Sequence, residues 1–92
     1  MAWIRVNRVR RNDLDICADI LNVAQRGARK TQIVYQANLN FKIVKRYLER
    51  LTNGGMLKSE ESRFYTTEKG GDFLENYRAL ISPMKAFGVT QV

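Results

Sequence analysis

Between residues 14 and 24 apolar side chains recur at three- and four-residue steps: Leu14, Cys17, Ala18, Leu21 and Ala24, with Ile16, Ile20 and Val23 on a neighbouring strip. That rhythm predicts an amphipathic helix over residues 13–26, begun by Asn12 or Asp13 and stopped by Gly27. After a basic linker, Ala28-Arg29-Lys30, the pattern resumes with Ile33, Val34 and Ala37 in a short second helix that Thr31 can cap. It breaks at Ala37-Asn38-Leu39-Asn40, where neither proline nor glycine is present. Asn38 suits the turn because asparagine tolerates the left-handed conformation better than any residue but glycine, and Asn40 suits the cap of a third helix. A tight turn of this kind holds two helices at a wide, fixed angle.

In the third helix Phe41, Val44, Leu48 and Leu51 form one apolar stripe flanked by Ile43 and Tyr47, while Lys42, Lys45, Arg46, Glu49 and Arg50 occupy the other face. Asn53-Gly54-Gly55 ends it. Met56-Leu57-Lys58-Ser59 and Arg63-Phe64-Tyr65-Thr66 read as two short strands around a polar tip, Glu60-Glu61-Ser62. Thr67 can then cap a last helix in which Phe73, Tyr77, Leu80, Met84 and Phe87 follow an a/d rhythm. Pro83 interrupts it, and a new start with Ser82 as cap and Pro83 as first residue, or a kink, is expected there. The order helix, helix, helix, strand, strand, helix is that of a winged helix: an α+β fold, mainly α.

Ninety-two residues fit one small domain with a thin core. Hydrophobic residues make up 45% and charged ones 27%, an ordinary globular balance. The chain has no histidine, so metal triads, Ser-His relays and Cys-His pairs are unavailable; no enzyme, metal or cofactor is expected. A single cysteine excludes an internal disulfide and suits a reducing, cytosolic setting, with Cys17 a small core residue. No apolar run of membrane-spanning length or secretory leader is visible, so no membrane partner is expected. Charge changes the picture most. The net is +7, and residues 1–50 hold 11 basic and 4 acidic side chains against 5 and 5 in the remainder. So one-sided an excess points to a polyanion facing one part of the fold.

K-T-Q-I-V-Y-Q-A-N-L-N with the later R-Y-L, the bend L-T-N-G-G-M-L and Y-T-T-E-K-G-G-D-F-L resemble archaeal winged-helix proteins of the Sulfolobus ten-a chromatin type, over roughly residues 13–82. The Thr-x-x-Gly start of the last helix recurs across winged-helix regulators generally, whereas K-T-x-I-x-Y-x-A-N-L is more specific to this family. The resemblance implies binding of double-stranded DNA and a homodimer through an antiparallel coiled coil of the last helix. Pro83 departs from that pattern and shortens the expected seam to Phe73, Tyr77, Leu80, Ile81 and Met84. The expected organisation is a basic arm over 1–12, a winged helix-turn-helix DNA-binding domain over 13–66, and a dimerisation helix over 67–92.

In this scheme a recognition helix over 40–52 lies in the major groove and turns Asn40, Lys42, Lys45, Arg46 and Arg50 outward. Lys30 and Thr31 at the start of the second helix meet a phosphate. Lys58 and Arg63 flank the wing, whose tip Glu60-Glu61 is repelled by phosphate, and Arg8, Arg10 and Arg11, with Arg5, form an arm along the backbone or a minor groove. Neutralising six phosphates lowers affinity on the order of a thousandfold between low and moderate salt. Lysine discriminates bases less well than arginine, so weak sequence preference is expected. Two other classes fit the same residues, a winged-helix protein-interaction module and an RNA-binding protein.

Overall fold

The computed structural model describes residues 12–86, with side chains through residue 81. The helices are α1 (Asp13–Val23), α2 (Lys30–Ala37), α3 (Phe41–Asn53) and α4 (Glu68–Ala86), and the strands β1 (Leu57–Glu60) and β2 (Arg63–Thr66) form an antiparallel hairpin. A short 3-10 turn, Ala24–Arg26, extends α1 as far as Gly27. The basic arm with Arg8, Arg10 and Arg11 lies outside the described residues.

Each helix start has a local chemical cause. Asn12 and Asp15 form a reciprocal capping box, with the Asp15 N–H donating to Asn12 Oδ1 at 2.8 Å. Asn40 Oδ1 accepts from the Ile43 N–H at 2.8 Å, and Thr67 Oγ1 from the Gly70 N–H at 3.2 Å. α2 is the exception: it starts at Lys30, its cap is the extended Arg29, and no side chain caps it. Thr31 therefore lies in the first turn and is not the cap. The reason is in the linker, where Ala28 exchanges both backbone hydrogen bonds with Phe64 of β2, at 3.0 and 2.8 Å. That bridge holds the chain extended up to Arg29 and lets the helix begin one residue earlier.

The break between α2 and α3 is a Schellman motif. Asn38 adopts φ 57° and ψ 54°, its N–H donates to Tyr35 O, and the Leu39 N–H donates to Val34 O at 3.1 Å. The same device closes α3, with Gly55 at φ 80°, the Gly55 N–H on Thr52 O and the Met56 N–H on Leu51 O at 2.9 Å. Two stiff turns thus hold α3 at both ends.

Ile20, Leu21, Ile33, Val44 and Leu57 are fully buried and join α1, α2, α3 and the hairpin, while Leu74 brings α4 onto the same core. Burying each such side chain stabilises by about 1.5–3 kcal/mol. Two expected core residues are not there: Leu14 and Phe41 are exposed, Phe41 by 53%. Both stand in the first turn of their helices, where the Cβ leans toward the open helix start and beyond the packed layer. Tyr47 is buried, and its hydroxyl donates to Asp13 Oδ1; Tyr77 of α4 likewise donates to Asp15 Oδ1. The first turn of α1 is thereby tied to α3 and to α4. Its Asp13 bond pushes the Tyr47 hydroxyl above the usual phenol range, and burial followed by the Asp15 bond pushes Tyr77 up to about 12. Burial likewise raises the Cys17 thiol.

α4 does not restart at Ser82. It is helical through Pro83 to Ala86. Proline removes one bond to the carbonyl four residues back, here Ala79, and Ala79 is exposed, so water can take that bond.

Candidate nucleic-acid interface

α3 presents three different flanks. Val44, Tyr47, Leu48 and Leu51 turn inward. Lys42 and Arg46, one turn apart, are exposed on the opposite side. Arg50 lies with its guanidinium carbon 5.3 Å from the centroid of Tyr47, so it is laid along the α1 flank on an aromatic face. Lys45 and Glu49 stand on the remaining flank, toward the hairpin.

Between that flank and the hairpin is a cavity of about 320 Å³, lined by Lys30, Lys45, Leu48, Glu49, Thr52, Asn53, Ser59 and Phe64. It collects the start of α2, the second half of α3 and one face of the wing. Leu48 and Phe64 supply apolar wall and Lys30 and Lys45 positive charge, and among the described residues no carboxylate is hydrogen-bonded to either lysine. A concavity of this composition suits an anion carried on an apolar frame, such as a sugar-phosphate backbone. Glu49 at the same rim opposes that charge. The Thr52 hydroxyl oxygen is shut off from solvent and has no hydrogen-bond partner among the described residues.

Register decides which wing residues face this cavity. Leu57 pairs with Thr66, Lys58 with Tyr65, Ser59 with Phe64 and Glu60 with Arg63. Alternation then puts Leu57, Ser59, Phe64 and Thr66 on the α3 side, where Leu57 is buried and the Thr66 hydroxyl donates to Leu21 O at 2.7 Å. Lys58, Glu60, Arg63 and Tyr65 share the other side, where Tyr65 covers Gly27. Lys58 and Arg63 are therefore not brought to the cavity, and Ser59 and Phe64, which the charge pattern overlooked, are. The signal was present in the strict alternation of the two strands. The turn is Glu61-Ser62 alone, both with positive φ (48° and 68°), which is a two-residue type I′ hairpin with Glu60 inside β1.

Asn40 spends its side-chain oxygen on the cap of α3, and Thr31 is exposed one residue after Lys30. Lys30, Thr31, Asn40, Lys42, Lys45 and Arg46 thus stand on the α2–α3 unit. Along α4, Phe73 and Tyr77 stack with centroids 6.3 Å apart and are half-buried against the core, Ile81 is half-buried, and Leu80 is 66% exposed. The Met84 side chain lies outside the described residues. Among the described residues no cluster of acidic and cysteine side chains could hold a metal ion, and no helix is long and apolar enough to cross a membrane.

Residues 10–85 match the family model described as winged helix-turn-helix. The chain belongs to the winged helix-turn-helix family. Among solved structures, this winged helix-turn-helix chain is similar to the crystal structure of Sso10a-2, a DNA-binding protein from Sulfolobus solfataricus, with a TM-score of 0.73 and 27% identity, covering 84% of this chain and 85% of that one. Among curated proteins it is 31% identical over 67 residues to the uncharacterized protein MJ0287 of Methanocaldococcus jannaschii, spanning 72% of this chain and 69% of the relative. The winged-helix order and the resemblance to archaeal winged-helix DNA-binding proteins are both borne out by these matches.

Proposed function

We propose that the protein binds double-stranded DNA through α3 and the cavity beside it, as a transcriptional regulator or a chromatin-type architectural protein. The observation that carries the proposal is the surface formed by Lys30, Lys42, Lys45 and Arg46, set on two helices whose angle is fixed by a Schellman turn and a side-chain cap. α3 enters the major groove, and the DNA backbone passes between α3 and the wing, with Lys30 and Lys45 on either side of a phosphate. Likeness to a DNA-binding protein of the same fold, at 27% identity over most of both chains, supports the same ligand. The role is binding, not catalysis.

Phosphate contacts position a protein without reading sequence, and this surface is rich in lysine, so the proposal includes weak sequence preference. It also includes a homodimer through α4. Support comes from the 19-residue length of that helix, its continuity past Pro83 and the exposed Leu80; Phe73 and Tyr77 contribute less than their spacing implies because their own core already covers them in part.

The test is fluorescence anisotropy of a labelled random duplex titrated at several salt concentrations, with single-stranded DNA and hairpin RNA as competitors. Expected is tight binding that neither competitor displaces, with a log–log salt slope of about −0.9 per phosphate neutralised. Lys45→Ala with Arg46→Ala should reduce that slope by roughly 2, while thermal unfolding hardly changes because both side chains are exposed. An unchanged slope in the double variant places the DNA elsewhere, and no binding at low salt refutes the proposal outright.

A further inference from the structure

We infer that Phe41 is a base-reading residue, which contacts the 5-methyl groups of thymine in the major groove and gives the protein a preference for sites rich in A·T pairs. This rests on the duplex-DNA reading above and adds to it the specificity that the basic surface lacks. Single exposed apolar residues are common on protein surfaces, so exposure alone assigns nothing. Position and rigidity single out this one.

Phe41 is the first residue of α3 and 53% exposed, beyond the core that the other members of its stripe enter. In helix-turn-helix docking the N-terminal residues of the recognition helix are the ones that meet base edges. The backbone that carries the ring is held on both sides. Asn40 Oδ1 accepts from the Ile43 N–H at 2.8 Å, Asn40 O accepts from the Val44 N–H at 3.0 Å, and the Schellman turn at Asn38 fixes the approach. A side chain carried on so stiff a backbone is spared the main-chain ordering cost that a loop residue bears.

Its neighbours on the exposed side, Lys42, Lys45 and Arg46, are charged and serve the phosphates. A phenyl ring cannot hydrogen-bond to any base edge. The apolar feature that distinguishes one base from another in the major groove is the thymine methyl group. Phe41 can therefore tell T from C by that methyl, while the lysines around it bind both alike.

The experiment compares three duplexes of one sequence: the natural one, one with deoxyuridine at every thymine, which removes only the methyl, and one with 5-methylcytosine at every cytosine, which adds it. For the native protein the deoxyuridine duplex is expected to bind more weakly, by about three- to fivefold per methyl contacted, the change that one buried methyl-sized group gives. Phe41→Ala should bind the natural and deoxyuridine duplexes equally, with the salt slope and melting temperature of the native protein. Phe41→Leu, which keeps an apolar side chain, should retain part of the discrimination. Tyr35→Ala, which removes an aromatic that is 84% exposed but lies within α2, should retain all of it. Equal binding of natural and deoxyuridine duplexes by the native protein, or discrimination that survives in Phe41→Ala, overturns the assignment and leaves DNA binding standing. Failure to bind any of the three overturns both.

Discussion

Gly70 and Gly71 are adjacent in the first turn of α4, and the structure predicts opposite outcomes when each becomes alanine. Glycine in a helix is about 1 kcal/mol less favourable than alanine, so propensity alone makes both substitutions stabilising. A Cβ on Gly71 meets nothing within 4 Å. A Cβ on Gly70 lies 2.3 Å from the backbone oxygen of Met56, 2.9 Å from Thr66 Cγ2 and 3.2 Å from Leu21 Cδ2. The nearest of these is backbone, at the base of the wing, and it accepts the Thr67 N–H at 3.0 Å. To relieve the clash α4 and the hairpin must separate by roughly an ångström, an overpacking cost of about 1–3 kcal/mol. Weakening the Thr67 bond adds about 1 kcal/mol.

Set against the propensity gain, Gly70→Ala should destabilise by about 2 kcal/mol, a fall in Tm on the order of 10 °C for a domain of this size. Gly71→Ala should raise Tm by several degrees, for a gain of about 1 kcal/mol or less. Thermal unfolding followed by circular dichroism measures both, at protein concentrations held equal because the proposed dimer would make Tm depend on concentration. A Gly70→Ala variant that melts at or above the native temperature refutes the close approach of α4 to the wing. Equal losses at both positions would mean that the helix start, and not this contact, is what the substitutions disturb. The Thr-x-x-Gly signature has a physical content here: the threonine caps the helix, and the glycine three residues later lets the wing sit against it.

Three further outcomes can be checked by the same melts. Thr52→Val replaces a shut-off hydroxyl that has no partner with a methyl of similar size, and should stabilise by about 1 kcal/mol; a loss of stability would show that the hydroxyl is bonded in solution. Glu61→Asn with Ser62→Gly puts residues suited to positive φ into the type I′ turn and should stabilise by on the order of 1–2 kcal/mol, and an unchanged Tm would mean that the turn is not left-handed in solution. The Tyr77 hydroxyl binds its proton more tightly in the fold, at about 12 against an ordinary 10, so its contribution is complete below pH 10 and is lost as pH rises toward 12. Tyr77→Phe should therefore flatten the fall of Tm over that window, and an identical fall in native and variant chains would exclude Tyr77 as the cause.

Much of the architecture was legible because single residues with strong local chemistry stand at its joints. Asn38 has the left-handed conformation expected of it, Asn40 and Thr67 cap the helices assigned to them, Gly55 stands where α3 ends, and Gly27 closes the 3-10 turn into which α1 passes after Val23. What escaped has a common cause. The bridge from Ala28 to Phe64 is one residue long, so it leaves no period to detect, yet it decides where α2 begins. Leu14 and Phe41 obey the helical spacing but stand in first turns, where spacing says which flank a residue occupies and not whether anything covers it. Leu74, outside the a/d series of α4, is buried in the core, whereas Phe73 and Tyr77 of that series only pack against its edge.

The wing shows why charge is a poorer guide to a surface than pattern. Lys58 and Arg63 attract attention as cations beside a hairpin tip, but a strand's side chains alternate, and the burial of Leu57 fixes which alternate set faces α3. Once Leu57 is inside, Ser59 is beside the cavity and Lys58 on the far side, and the register carries the same choice across to Phe64 and Arg63. A one-residue slip of either strand would reverse the assignment and at the same time expose Leu57 or break its pairing with Thr66. The face that the wing turns to α3 is thus determined by the core, and whatever charge the far face carries is free to vary without disturbing it. On that ground the α3-facing set of the wing is the one whose orientation the core fixes, and in the proposed DNA-binding surface it is this set that stands beside the basic residues of α2 and α3.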